Sequence, residues 1–149
     1  MIQITSKSDK ETKNFAKKLA KNAFKLSGTV VFSLEGELGA GKTTFTQGFA
    51  QGLKIKEKIQ SPTFVILKIY KIGSRKKLIH VDAYRLQAKD FKVFCWKKFV
   101  NPPAGGPQNI ILVEWGNKIK NILPKNTIRI IFKHGKKSNE RILVIHQLF

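Results

Sequence analysis

Apolar positions recur along this chain in two rhythms, and each change of rhythm marks an element. Ser8-Asp9-Lys10-Glu11 has the form of a capping box, and Phe15, Ala16, Leu19, Ala20 and Ala23 follow at helical spacing. This predicts a helix over about residues 9–26, stopped by Gly28. The continuous β-branched and apolar run over 29–34 predicts a buried strand. A second helix is expected from Lys42, with Phe45, Phe49 and Leu53 on one face, ending around 52–54.

Further strands are expected over 64–72, closed by Gly73-Ser74, over 78–81 and over 110–113. Two last strands, about 127–133 and 141–148, flank a Lys-Ser-Asn turn and alternate like an antiparallel hairpin. Residues 88–99 carry a weaker pattern that predicts a helix with Phe91, Phe94 and Cys95 inward. Residues 101–108, with three prolines and two adjacent glycines, read as a loop. The chain has no internal repeat.

Between the first strand and the second helix stands Gly36-Glu37-Leu38-Gly39-Ala40-Gly41-Lys42-Thr43, a full match to G-x-x-x-x-G-K-[ST]. Its glycines allow the backbone to turn amide hydrogens inward around an anion, and the helix that follows adds the positive end of its dipole. Lys42 would reach the β- and γ-phosphates, and the Thr43 hydroxyl would hold Mg²⁺. The bland alternative is a glycine-rich strand-to-helix turn with no nucleotide. Strand, loop and helix in this order predict an α/β protein with a P-loop NTPase-like three-layer fold. Its sheet would be mixed, parallel around the loop, and end in the antiparallel hairpin.

A length of 149 residues, 42% of them hydrophobic, suits a single domain spanning 1–149. The apolar runs are short and broken by lysines, so no membrane span is expected and the protein should be cytoplasmic. Cys95 is the one cysteine, which excludes an internal disulfide and suggests a packing residue. Net charge is +20, from 29 basic and 9 acidic residues, a balance that favours polyanions such as nucleic acid or an acidic protein partner. Only four bases are arginines, the better residue for bidentate phosphate recognition, so a solvated lysine surface remains the alternative.

Two of the scarce acids close apolar strands, Asp82 after Leu-Ile-His-Val and Glu114 after Ile-Ile-Leu-Val. In an open α/β sheet, ligands collect beyond the carboxyl ends of the strands, so both acids should face the crevice of the phosphate loop. A magnesium nucleotide needs one carboxylate near Thr43 and commonly a second to orient water. Local turn capping is the competing role for each acid. His80, inward beside Asp82, reads as a core or supporting histidine, and Tyr84 and Arg85 as local or partner-facing residues.

Taken in order, Gly36 to Thr44, Ser61-Pro62-Thr63-Phe64, Tyr70, His80-Val81-Asp82-Ala83-Tyr84-Arg85-Leu86 and Leu112-Val113-Glu114-Trp115 resemble the TsaE (YjeE) family. These are small bacterial P-loop ATPases required for threonylcarbamoyladenosine modification of tRNA. The resemblance implies ATP and Mg²⁺ as cofactors, and TsaB-like and TsaD-like proteins as partners. It also implies that Gly39, Ala40, Gly41, Lys42, Thr43 and Thr44 bind phosphates and that Thr43 and Glu114 hold Mg²⁺. Asp82 is then required for hydrolysis alongside Lys42 and Glu114. Thr63 resembles a γ-phosphate sensor, Trp115 lies beside the nucleotide, and Thr12 and Arg141 occupy places near the base. The chain departs from the family pattern over 87–108, which is lysine- and aromatic-rich and then runs Pro-Pro-Ala-Gly-Gly-Pro. Two other readings of the residues are a small-molecule P-loop kinase and a basic nucleic-acid-binding module.

Overall fold

The Ser8 half of the capping box forms, and Glu11 reaches back one residue further, to Lys7. Ser8 Oγ accepts from the Glu11 backbone N–H at 3.2 Å, while the Glu11 carboxylate accepts from the Lys7 N–H at 2.7 Å. From this start α1 runs Asp9–Lys25 and buries Ala16, Leu19, Ala20 and Ala23. Helix α2 runs Lys42–Gly52 and buries Phe45 and Phe49. The computed structural model describes residues 1–60, 66–92 and 95–147. Thr63, with Ser61, Pro62 and Phe64, lies outside the described residues, as does Phe94.

Among the described residues seven strands make one sheet: β1 Ile2–Ser6, β2 Val30–Gly36, β3 Leu67–Ile72, β4 Lys76–Asp82, β5 Gln108–Glu114, β6 Ile128–His134 and β7 Arg141–His146. Their order is β1-β7-β6-β2-β5-β4-β3. Strand β2 is parallel to both β5 and β6, and β4 is parallel to β5, while β1, β3 and β7 join antiparallel. This is the mixed sheet with a closing hairpin that the pattern predicts.

Alternation along β2 divides its side chains between two cores. Phe32 and Leu34 join Phe45, Phe49, Leu112 and Phe132 under α1 and α2. Val31 joins Ile79, Val81, Ile111 and Val113 on the other face, covered by Phe91, Trp96 and Ile119. Burying apolar side chains on both faces explains why the central strands read as continuous hydrophobic runs. Ser33 and Glu35 also point to the second face, where Glu35 accepts two hydrogen bonds from Arg129, at 2.9 and 2.8 Å, and one from Ser33. Burial pushes the Glu35 carboxyl up, but these donors outweigh it and leave the pKa below the usual carboxylate range.

Two expectations are corrected. The segment 88–99 is not one helix but a 3-10 turn, Ala88–Lys92, and a short helix α3, Trp96–Val100. Between them Cys95 has φ +51° and is exposed, so it is not a packing residue; Phe91 and Trp96 make the inward contact, edge to face. Strand β1 and the 3-10 segment Gly116–Ile122 were not expected from the pattern.

Helices α1 and α2 cross closely at a glycine. A Cβ on Gly48 would stand 2.5 Å from both Cα and O of Lys13. Alanine is the better helix former by about 1 kcal/mol, yet here it would force the backbones apart. Gly48→Ala should therefore lower stability by about 1–3 kcal/mol in urea unfolding. An equal or higher midpoint would refute the close crossing.

Candidate functional site

The glycine-rich turn between β2 and α2 takes the backbone into the left-handed region, with φ +74° at Gly39 and +101° at Gly41. Ala40 is buried in the turn and donates its N–H to the Glu37 carbonyl at 3.2 Å. Gly41 precedes α2 without a side-chain cap, and the helix's first turn holds no acid. A helix start of this kind presents amide hydrogens and a positive dipole to whatever anion approaches.

Lys42 arches back over the turn. Its Nζ donates to the carbonyls of Gly36 and Glu37, each at 2.8 Å, and lies 3.8 Å from the centre of the Trp115 ring. Trp115 holds φ +61°, a conformation rare for a bulky residue. Its own N–H donates to Leu34 O at 2.8 Å, which fixes the turn leaving β5 against the strand feeding the loop.

The two strand-end acids arrive together. Asp82 and Glu114 are Cα partners on parallel β4 and β5, and Glu114 is also level with Leu34 of β2. Glu114 is 2% exposed and uses both oxygens: Oε2 accepts from Thr43 Oγ1 at 3.0 Å, and Oε1 lies 2.9 Å from His80 Nε2 and 3.4 Å from Thr46 Oγ1. Asp82 Oδ1 accepts from the Tyr84 N–H at 2.9 Å. Leu38, Gly39, Gly41, Lys42, Thr43, Thr44, Asp82, Tyr84, Glu114 and Trp115 line one cleft of about 380 Å³.

The remaining expected residues are placed as follows. Arg141, at the start of β7, lies along the glycine turn, its Cγ 3.8 Å from where a Gly41 Cβ would stand. Its Nη1 donates to the carbonyls of Ser138 and Glu140. Thr12 does not line the cleft: it is 1% exposed and its hydroxyl shares a 2.8 Å hydrogen bond with Ser6. Thr63 lies outside the described residues.

Four neighbours of the cleft were not singled out as site residues. Thr46 stands one helical turn beyond Lys42, a spacing that could have marked it. The His80 ring backs Glu114 from the adjacent strand. Tyr84 packs its ring 4.9 Å from Trp115, and Lys118 covers Tyr84 while donating to its carbonyl at 2.6 Å. No local signal in the sequence marks Lys118.

The family model described as threonylcarbamoyl adenosine biosynthesis protein TsaE matches residues 6–143. The chain belongs to the TsaE family. It is 40% identical over 132 residues to the tRNA threonylcarbamoyladenosine biosynthesis protein TsaE of Bacillus subtilis, which spans 89% of this chain and 77% of that protein. The TsaE protein of Rickettsia prowazekii is 35% identical over 145 residues, 96% of this chain and 93% of its own. The crystal structure of Bacillus subtilis YdiB superposes with a TM-score of 0.73 at 33% identity, covering 97% of this chain and 83% of that one. The TsaE match spans every strand from β2 to β6 and all three helices, so it contains the whole cleft.

Burial pushes the Lys42 amine below the ordinary lysine range, and the charges of Glu114 and Asp82 partly restore it. A lysine that releases its proton more readily folded than unfolded costs stability near neutral pH. That cost is relieved as pH rises through the folded pKa toward the unfolded value. Glu114→Gln removes the larger restoring charge, so Lys42 should titrate lower still in that variant. The pH dependence of the Lys42 Cε chemical shift measures this, and an unchanged or raised midpoint would contradict it.

Proposed function

We propose that this chain is the ATP-binding and ATP-hydrolysing subunit required for threonylcarbamoyladenosine modification of tRNA, working with TsaB-like and TsaD-like proteins as a single cytoplasmic ATPase domain. The observation that carries this reading is the convergence of Lys42, Thr43, Asp82 and Glu114 on one cleft at the carboxyl ends of the parallel strands. Family membership supplies the tRNA-modification context.

The donors fit a magnesium nucleotide. A glycine turn and an uncapped helix start suit phosphate oxygens, and a hydroxyl beside two carboxylates suits a hard cation. Among the described residues no group of three or more His, Cys, Asp or Glu could hold an ion unaided. Magnesium is commonly held by one or two carboxylates together with substrate phosphates and water, so a partial protein set is what the nucleotide would complete. When bound, Mg²⁺ would neutralise charge on the β- and γ-phosphate oxygens.

Gly39 to Thr44 bind the phosphates, with the Lys42 ammonium exchanging its two carbonyl partners for phosphate oxygens. Thr43 and Glu114 are the residues that would hold Mg²⁺. Asp82, tied at one oxygen by the Tyr84 N–H, orients the attacking water or the metal's water shell. Trp115 lies beside the phosphates as the wall under Lys42. Arg141 approaches from the loop's far side, toward the base, and Thr12 shapes that region from behind through Ser6. The γ-phosphate-sensing role falls to Thr63. The charge of +20 suits contact with tRNA through the basic surface. Among the described residues no helix is long and apolar enough to cross a membrane.

ATP turnover by the purified chain should require Mg²⁺ and rise when TsaB-like and TsaD-like proteins are added. Lys42→Ala should lower kcat by on the order of a hundredfold, the usual loss when one group that stabilises developing charge is removed, and Asp82→Asn by on the order of a hundredfold or more through loss of the carboxylate that orients water. Undiminished turnover and tRNA modification in Lys42→Ala would overturn the reading.

A further inference from the structure

His80 is fully buried on β4, facing α2 between apolar neighbours: Leu78 precedes it by two residues on the same strand face, and Leu112 is its Cα partner on β5. Packing alone would favour leucine or phenylalanine at such a position, because an imidazole brings two polar nitrogens. One of them, Nδ1, is buried and finds no hydrogen-bond partner among the described residues. The other, Nε2, lies 2.9 Å from Glu114 Oε1. A carboxylate has no hydrogen to give, so Nε2 is the donor.

The geometry around Glu114 is lopsided in a useful way. Oε2 turns to Thr43, the hydroxyl at the mouth of the phosphate loop, while Oε1 is held from behind by His80. Thr46 adds a longer contact to Oε1, 3.4 Å, but its single hydrogen is nearer the Lys42 carbonyl at 3.0 Å. Thus one strong donor fixes the rear oxygen. We propose that His80 is a positioning residue that locks the Glu114 carboxylate by an Nε2–H hydrogen bond to Oε1, so that Oε2 is presented to Thr43 and to a divalent cation. The inference rests on the magnesium-nucleotide reading above. A ligating carboxylate that is itself hydrogen-bonded keeps its orientation without reorganising when the ion arrives.

The unequal state of the two ring nitrogens gives the test its shape. A glutamine side chain extends its amide nitrogen to about the reach of Nε2, whereas asparagine ends near Nδ1, the atom with no partner. Binding of a fluorescent ATP analogue to wild type, His80→Gln, His80→Asn, His80→Leu and Thr46→Val is measured first in EDTA and then across a Mg²⁺ titration. In EDTA all five should bind alike, which also reports that each is folded. With Mg²⁺, His80→Leu and His80→Asn should need about 10-fold or more extra ion to reach half-effect, the usual loss when a ligand's hydrogen-bond partner is removed. His80→Gln should stay close to wild type, and Thr46→Val should shift less than His80→Leu.

Equal Mg²⁺ midpoints in wild type and His80→Leu would overturn the inference and leave the nucleotide reading intact. Equal losses in His80→Gln and His80→Asn would also overturn it, since the ring would then matter by shape alone. A wild type that binds the analogue without regard to Mg²⁺ would remove both.

Discussion

A 3.0 Å hydrogen bond from Thr43 Oγ1 to Glu114 Oε2 joins the first turn of α2 to the last residue of β5. These residues are far apart in sequence and belong to different layers, so the bond fixes where the helix starts relative to the sheet. Everything in the cleft is referred to that point. Lys42 lies one residue before the donor, Asp82 is level with the acceptor on the next strand, and Trp115 follows the acceptor directly. Movement of α2 along the sheet would separate hydroxyl from carboxylate and uncouple the loop from both acids.

The same bond stands on a scarcity of negative charge. Among nine acids, Glu35, Asp82 and Glu114 are buried, and each meets donors supplied by the fold. Glu35 has Arg129 and Ser33, Asp82 has the Tyr84 N–H, and Glu114 has Thr43 and His80. A chain this basic offers many cations, and among the described residues Lys42 acts on the two cleft acids as charge at a distance. Lys42 bonds to carbonyls, and its ammonium is shared with the face of Trp115.

The central fold was legible because its signals are local and agree. Residues 29–34 read as a buried strand, the glycines announce the turn, and Phe45 and Phe49 mark the helix behind it. Asp82 and Glu114 were legible as strand ends, and the sheet's parallel order then places them side by side. Local pattern failed where distant partners decide. Residues 88–99 carry apolar residues at helical spacing, but Phe91 and Trp96 reach the same core across a backbone break at Cys95. Strand β1 is short, half-exposed and recognisable only through its pairing with β7. Thr12, placed near the base by the resemblance, shares its hydroxyl with Ser6 of that unexpected strand. The contact of Lys42 with Trp115 joins residues about half the chain apart and has no sequence signature of its own.

The pairing of β1 with β7, in which Ile2 meets Ile145 and Ser6 meets Arg141, has a bearing on biosynthesis. Among the described strands, β1 waits for its partner β7 through the synthesis of the five between them. Strand β2, likewise, waits for β5 and β6. Such long-range closure slows folding and leaves strand edges open meanwhile. A lysine-rich nascent chain that repels its own copies is well suited to that wait.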